Sequence, residues 1–128
     1  VNRSADWLAQ AERDLEKARI DRDHAYYEWA CFTAQQAAEK AVKALGMSMG
    51  LDIWGHAVSA ILRSLRQRMD IPEDLVALGQ SLDAYYIPSR YPNGFDSGKP
   101  ADYYNAMMAD GALNAAGEIL RFCKKHLS

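Results

Sequence analysis

The chain has 128 residues, 49% hydrophobic and 25% charged, a globular balance that rules out disordered, collagenous and disulfide-scaffold classes. That length supports one hydrophobic core and not two full-sized ones, so residues 1–128 read as a single domain. Fifteen Lys and Arg against 17 Asp and Glu leave a formal charge of −2, so a polyanion site must be a local patch.

Twenty-one alanines and 12 leucines stand against 11 Val, Ile and Thr together, a helical bias because β-branched side chains lose rotamer freedom in helices. Ser4 or Asp6 is expected to cap a first helix reaching about Arg22, with Trp7, Leu8, Ala11, Leu15 and Ala18 on its inward stripe. The second helix, about Ala25 to Met47, is the longest. Tyr27, Cys31, Ala34, Ala38, Ala41 and Leu45 alternate steps of four and three along it, a seam of mostly small side chains that lets a neighbour approach closely. Gly46 and Gly50 are expected to end it. A third helix opens near Gly55 and His56, with Val58, Ile61, Leu62 and Leu65 inward and Arg63, Arg66 and Arg68 on a solvated face. Pro72 at a first helical position, followed by Glu73 and Asp74, predicts a fourth helix to about Tyr86 with Leu75, Leu78, Leu82 and Tyr85 as its stripe. Residues 87–101 hold three of the four prolines and the turn-forming Pro92-Asn93-Gly94, and read as one loop. A fifth helix spans about Asp102 to His126, with Met107, Leu113, Ala116, Leu120 and Cys123 inward. The expected fold is all-α, an up-and-down bundle of four to five helices.

Several chemistries find no support. Cys31 and Cys123 lack the close spacing of a zinc site or redox pair and read as core residues. His24, His56 and His126 belong to no His-Glu-x-x-His or Glu-x-x-His element, so neither a metal nor another cofactor is expected. No glycine-rich phosphate loop and no nucleophile elbow is present. No apolar run approaches the ~20 residues that span a bilayer, and the charged stretch from Val1 to Arg13 is unlike a signal peptide, so no membrane partner and a cytoplasmic location are expected.

Two stretches stand apart from a plain bundle. In Phe32-Thr33-Ala34-Gln35-Gln36-Ala37-Ala38-Glu39-Lys40-Ala41-Val42-Lys43, the side chains of Trp29, Phe32, Gln36, Glu39 and Lys43 recur at helical spacing and make an aromatic-to-polar stripe. In Leu82-Asp83-Ala84-Tyr85-Tyr86-Ile87-Pro88-Ser89-Arg90-Tyr91-Pro92, three tyrosines surround one arginine. With His56 between them, these stretches closely resemble the HEPN family of small α-helical domains, over nearly the whole chain. The resemblance implies an up-and-down bundle that dimerises and often acts beside a minimal nucleotidyltransferase in toxin–antitoxin-like systems. Many HEPN proteins are metal-independent ribonucleases with an Arg followed, after four to six residues, by a His. Arg90 matches that arginine, but Tyr91 to Lys99 contains no histidine, so the usual proton-transfer group for cleavage beside a 2′-hydroxyl is missing.

The residues themselves allow two readings. Arg90 can clamp a phosphate through its planar fork while Tyr86 and Tyr91 offer faces to a base, or it can anchor the loop to a carboxylate such as Glu39. Glu39 and Lys43 form either an ordinary solvated i,i+4 pair or, with Gln36, part of a polar groove. His56 at a helix start is expected to serve as a structural polar group. Phe95, Tyr103 and Tyr104 are candidates for a dimer contact. The leading expectation is a homodimeric nucleotide- or RNA-binding module, non-catalytic or weakly active, working with a nucleotidyltransferase. The alternatives are a ribonuclease toxin that borrows a proton-transfer group such as His56, and a purely structural dimerisation module.

Overall fold

The computed structural model describes residues 2–86 and 89–127; Ile87 and Pro88, part of the arginine-bearing motif, lie outside the described residues, as do Val1 and Ser128. The described residues form five helices, α1 (Ser4–Asp23), α2 (Tyr27–Ser48), α3 (Val58–Leu65), α4 (Glu73–Asp83) and α5 (Ala106–His126), with single-turn 3₁₀ helices at Pro92–Gly94 and Pro100–Asp102. No strand occurs among them, and none of the helices is long and apolar enough to cross a membrane.

The small-residue seam makes α2 the centre of the bundle. Cys31, Ala34, Ala38, Ala41 and Leu45 are fully buried, and α2 packs against each of the other four helices, most extensively against α1. A three-residue turn joins α1 to α2, so the two run antiparallel. Ion pairs Arg22–Asp110 and Glu12–Lys124 lay α5 antiparallel to α1 on its other side. Cys31 and Cys123 lie in the core, where burial pushes both thiols up to about 12 and leaves them protonated and inert near neutrality.

The helix ends differ from expectation where side chains outside the pattern do the capping. Asn2, not Ser4 or Asp6, accepts the Ser4 amide at 2.8 Å, and Asp6 pairs with Arg3. Asn105 accepts the Met108 amide at 2.9 Å, so α5 begins at Ala106 and Asp102 belongs to a separate 3₁₀ turn. Met107, nine residues before Ala116, stands half a turn from it and is 82% exposed, contrary to its inward assignment. Tyr104 is core, packed on Tyr85 at 5.7 Å, while Phe95 stacks on Tyr103 at 4.1 Å. Gly46 does not end α2. It is buried inside the helix, where the Ile53 side chain occupies the space of a Cβ, and Gly50, at φ +73°, supplies the left-handed turn.

The short α3–α4 pair positions the loops that matter below. Asp83, the last residue of α4, accepts the Val58 amide at 2.6 Å and the Ser59 hydroxyl at 2.5 Å, capping α3 from the neighbouring helix. The two helices approach closely at Gly79, where a Cβ would lie 3.0 Å from the Ser59 nitrogen and 3.2 Å from its Cα. Those are backbone atoms held by Asp83 and cannot step aside. Gly79→Ala is therefore expected to lower stability by about 1–3 kcal/mol despite alanine's better helix propensity. Gly111→Ala, on an exposed face of α5 with nothing within 4 Å, is expected to raise it by about 0.5–1 kcal/mol. Urea denaturation midpoints of the two variants check both signs.

Candidate functional site

Gln35, Glu39 and Lys43 of α2 form one polar network with the segment between α2 and α3, while Lys40 turns to Asp14 of α1. Gln35 is fully buried in the seam register, between Cys31 and Ala38. Its amide donates to the His56 carbonyl at 2.9 Å and to Glu39 Oε1 at 3.3 Å, and its own oxygen accepts from Gln36 Nε2 at 2.7 Å. Glu39, one turn on, receives Lys43 Nζ at 3.0 Å and His56 Nδ1 at 3.2 Å from both carboxylate oxygens. The Glu39 and Lys43 side chains are only 8% and 14% exposed, so their pair is a buried element of the site and not a solvated surface contact. Because a carboxylate only accepts, Nδ1 carries the proton in this contact and Nε2 is left as the open nitrogen of a ring that is 56% exposed.

His56 is thus fixed twice to α2, through its carbonyl and through its ring. Its other face stacks on Tyr86, with centroids 4.5 Å apart and planes 16° from parallel. Tyr86 sits in the turn that follows Asp83, so the contact that caps α3 also sets where this ring falls.

Arg90 completes the patch. Its guanidinium carbon stands 4.3 Å over the Phe32 ring, 5.1 Å from Tyr86 and 5.0 Å from Tyr91. Nε donates to the Tyr86 carbonyl at 3.2 Å. Among the described residues no carboxylate pairs with it, and Glu39 is engaged by Gln35, Lys43 and His56 instead. The anchoring of Arg90 on Glu39 is therefore not how the loop is held. Ser89 bonds back to the Tyr85 carbonyl and Arg90 to the Tyr86 carbonyl, each reaching four residues back. Aromatic faces offset part of the desolvation of the half-buried cation, each worth about 0.5–2 kcal/mol.

Arg90, Tyr86, Gln36, Glu39, Lys43 and His56 are thus gathered at one mouth of the bundle, with Tyr91 at its outer edge and 48% exposed. Gln35 and Phe32 join them. Gln35 carried a legible signal, a buried amide at a core register that must find partners. The set has no metal-like convergence: among the described residues no three His, Cys, Asp or Glu side chains cluster to hold an ion.

The HEPN domain model matches residues 4–126. This chain belongs to the HEPN family. Among solved structures, TT1696 from Thermus thermophilus is 43% identical with a TM-score of 0.96, over 99% of this chain and 100% of that one. ST0689, an archaeal HEPN homologue, is 41% identical with a TM-score of 0.85 over 100% of both chains. A HEPN domain protein of Thermotoga maritima, tm0613, is 39% identical with a TM-score of 0.77, over 93% of this chain and 94% of that one. The curated Methanocaldococcus jannaschii protein named "Putative toxin MJ1304" is 28% identical over 130 residues, 94% of this chain and 86% of that protein.

The buried pair gives this HEPN domain a testable asymmetry. Glu39→Ala strands the Lys43 ammonium and is expected to cost about 3–5 kcal/mol. Lys43→Met leaves Glu39 with its Gln35 and His56 partners and is expected to cost less than half as much. A double-mutant cycle by urea denaturation checks this, with the double variant well short of the sum of the singles.

Proposed function

We propose that this HEPN domain is the toxin-class member of a toxin–antitoxin-like pair, a cytoplasmic homodimer that acts with a minimal nucleotidyltransferase and binds the phosphate of a nucleotide or RNA through Arg90. Its single-domain extent, residues 1–128, is part of the same reading. The observation that carries it is the guanidinium itself: half-buried, held over Phe32, Tyr86 and Tyr91, and without a carboxylate partner among the described residues. A half-buried cation that the protein does not neutralise is matched by an anionic guest, and the planar fork suits a phosphate. Tyr91 and Gln36 then serve as a stacking face and an amide contact, Tyr86, its ring already stacked on His56, seats the guanidinium, and Glu39 and Lys43 hold the groove. Titration of the chain with nucleotides and short RNAs tests it. Arg90→Ala is expected to weaken binding at least about tenfold, the range of a lost charged hydrogen bond, and Arg90→Lys to restore only part of it. Binding that ignores Arg90 would falsify this assignment.

A second reading, the metal-independent ribonuclease, is favoured by the Glu39–His56 contact. A carboxylate on Nδ1 of a side chain that is more than half exposed, with no hydrogen bond to Nε2 among the described residues, is the arrangement of an oriented proton acceptor. In this reading Nε2 takes the proton of a 2′-hydroxyl, the 2′-oxygen bonds to phosphorus, the bond to the 5′-oxygen breaks, and water protonates that leaving oxygen. Cleavage of single-stranded RNA in EDTA, lost in both Arg90→Ala and His56→Ala, is the expected outcome. Intact RNA in the presence of wild-type protein would leave the binding module alone.

A further inference from the structure

Among the four asparagines of the chain only Asn93 is followed by glycine, and the fold leaves that pair at the tip of a loop. Asn93 and Gly94 are exposed and belong to the single 3₁₀ turn Pro92–Gly94. The Gly94 N–H donates to the Tyr91 carbonyl at 3.4 Å, longer than the ordinary range of about 2.7–3.2 Å. The Asn93 carboxamide has no hydrogen-bond partner among the described residues, unlike Asn2 and Asn105, whose side-chain oxygens accept backbone amides. On either side the chain is held, by Arg90 on the Tyr86 carbonyl and by Phe95 stacked on Tyr103. The turn therefore opens between two fixed points without disturbing the bundle. Asp110-Gly111 is the comparison within the same chain. It lies inside α5, where the Gly111 N–H belongs to the helix ladder and Asp110 pairs with Arg22 at 3.1 Å.

We infer that Asn93 is a site of spontaneous covalent modification, its carboxamide converting to a carboxylate through a cyclic imide closed by the Gly94 nitrogen. The Gly94 amide loses its proton to water or hydroxide. Its nitrogen bonds to Asn93 Cγ while the Cγ–Nδ2 bond breaks and ammonia leaves. Water, the only co-reactant, then adds at either imide carbonyl. Breaking the new N–Cγ bond gives aspartate, and breaking the original peptide bond gives isoaspartate, whose main chain runs through Cβ. Glycine at 94 permits the ring because no side chain crowds the attacking nitrogen. At Asp110-Gly111 the helix holds the corresponding nitrogen in its ladder and blocks the same closure.

The product carries a carboxylate three residues from Arg90, which has no acidic partner among the described residues. Three residues span at most about 11 Å of chain, well within the Debye length of roughly 30 Å at about 0.01 M salt. Ageing of the protein thus offsets the charge of its own guanidinium. Asp96, three residues on the other side, opposes the new carboxylate, so the coupling to Arg90 is read from a double-mutant cycle and not from a single variant.

The full chain is incubated at physiological temperature and mildly alkaline pH and compared with an unincubated sample. Trypsin releases the peptide that begins at Tyr91, which is followed by mass spectrometry and by an isoaspartate-specific methyltransferase. An acidic, isoaspartate-containing form at position 93 is expected to accumulate with time, faster as pH rises, while Asp110 stays unchanged. Gly94→Ala, which the backbone accommodates because Gly94 is not among the positive-φ glycines, is expected to abolish that form over the same interval, as is Asn93→Gln. No acidic form at position 93 overturns the site, and equal accumulation in Gly94→Ala overturns the imide route. For the charge, urea midpoints at low salt are expected to show Asn93→Asp more favourable with Arg90 in place than beside Arg90→Gln, the difference shrinking at high salt. No such difference overturns the offset of Arg90 and leaves the modification site to the mass spectra.

Discussion

One buried carboxylate organises the mouth of the bundle. Glu39 is nearly out of water, a position tolerable for a carboxylate only when donors surround it. Gln35 and Lys43 come from its own helix, one turn to either side, and His56 comes from the segment before α3. Removing that segment would take away one donor and expose the Gln35 amide that bonds the His56 carbonyl. The segment therefore stays, and with it the imidazole. The ring of His56 then fixes Tyr86, and the Tyr86 carbonyl receives Arg90. Each functional side chain is placed by the one before it, back to a carboxylate on the central helix of the fold.

A second carboxylate, Asp83, works from the opposite direction. It caps α3 from the end of α4 and so ties the start of one helix to the finish of the next. His56 lies two residues before Val58, and Tyr86 lies three residues after Asp83, so this one cap brings the two ring-bearing segments together. Close approach at Gly79 keeps α3 and α4 near enough for the contact to form. The loop beyond is held differently, by local bonds that reach back four residues and by Asp102 on Lys99. Scaffold and loop thus divide the work in a common way, with packed helices setting position and the loop carrying the exposed chemistry.

The sequence made the helices legible because burial on α2 repeats at steps of three and four, and small side chains at those steps leave little choice of partner distance. Caps were less legible, since Asn2 and Asn105 lie outside the periodic segments and act through a single side-chain bond. Met107 is a different case: nine residues before Ala116 it lies half a turn from it wherever the helix starts, so the helical period itself puts it on the outer face. Gly46 resembles a terminator in one dimension and is a contact point in three, where Ile53 needs the room. Within the site, Arg90 and its tyrosines are neighbours in sequence and could be read directly. The role of His56 could not, because the carboxylate that orients it lies 17 residues away and on another element.

The electrostatics explain why Arg90 and not some other cation carries the site. With 17 acids against 15 Lys and Arg, an unneutralised guanidinium near the surface would ordinarily acquire a carboxylate. Here Glu39 is committed to Lys43 and His56, Asp83 to the start of α3 and Asp102 to Lys99, while Glu28, which lines a cleft with Arg90, makes no ion pair with it. Three aromatic rings take the place of an anion around Arg90. They compensate some desolvation and leave the charge uncancelled, which a salt bridge would not do. A chain of net negative charge gains nothing from long-range attraction to an anion, so an anion at this mouth would be held by contacts made within a Debye length of about 8 Å at physiological salt. A cation presented on rings meets that condition without altering the charge of the whole.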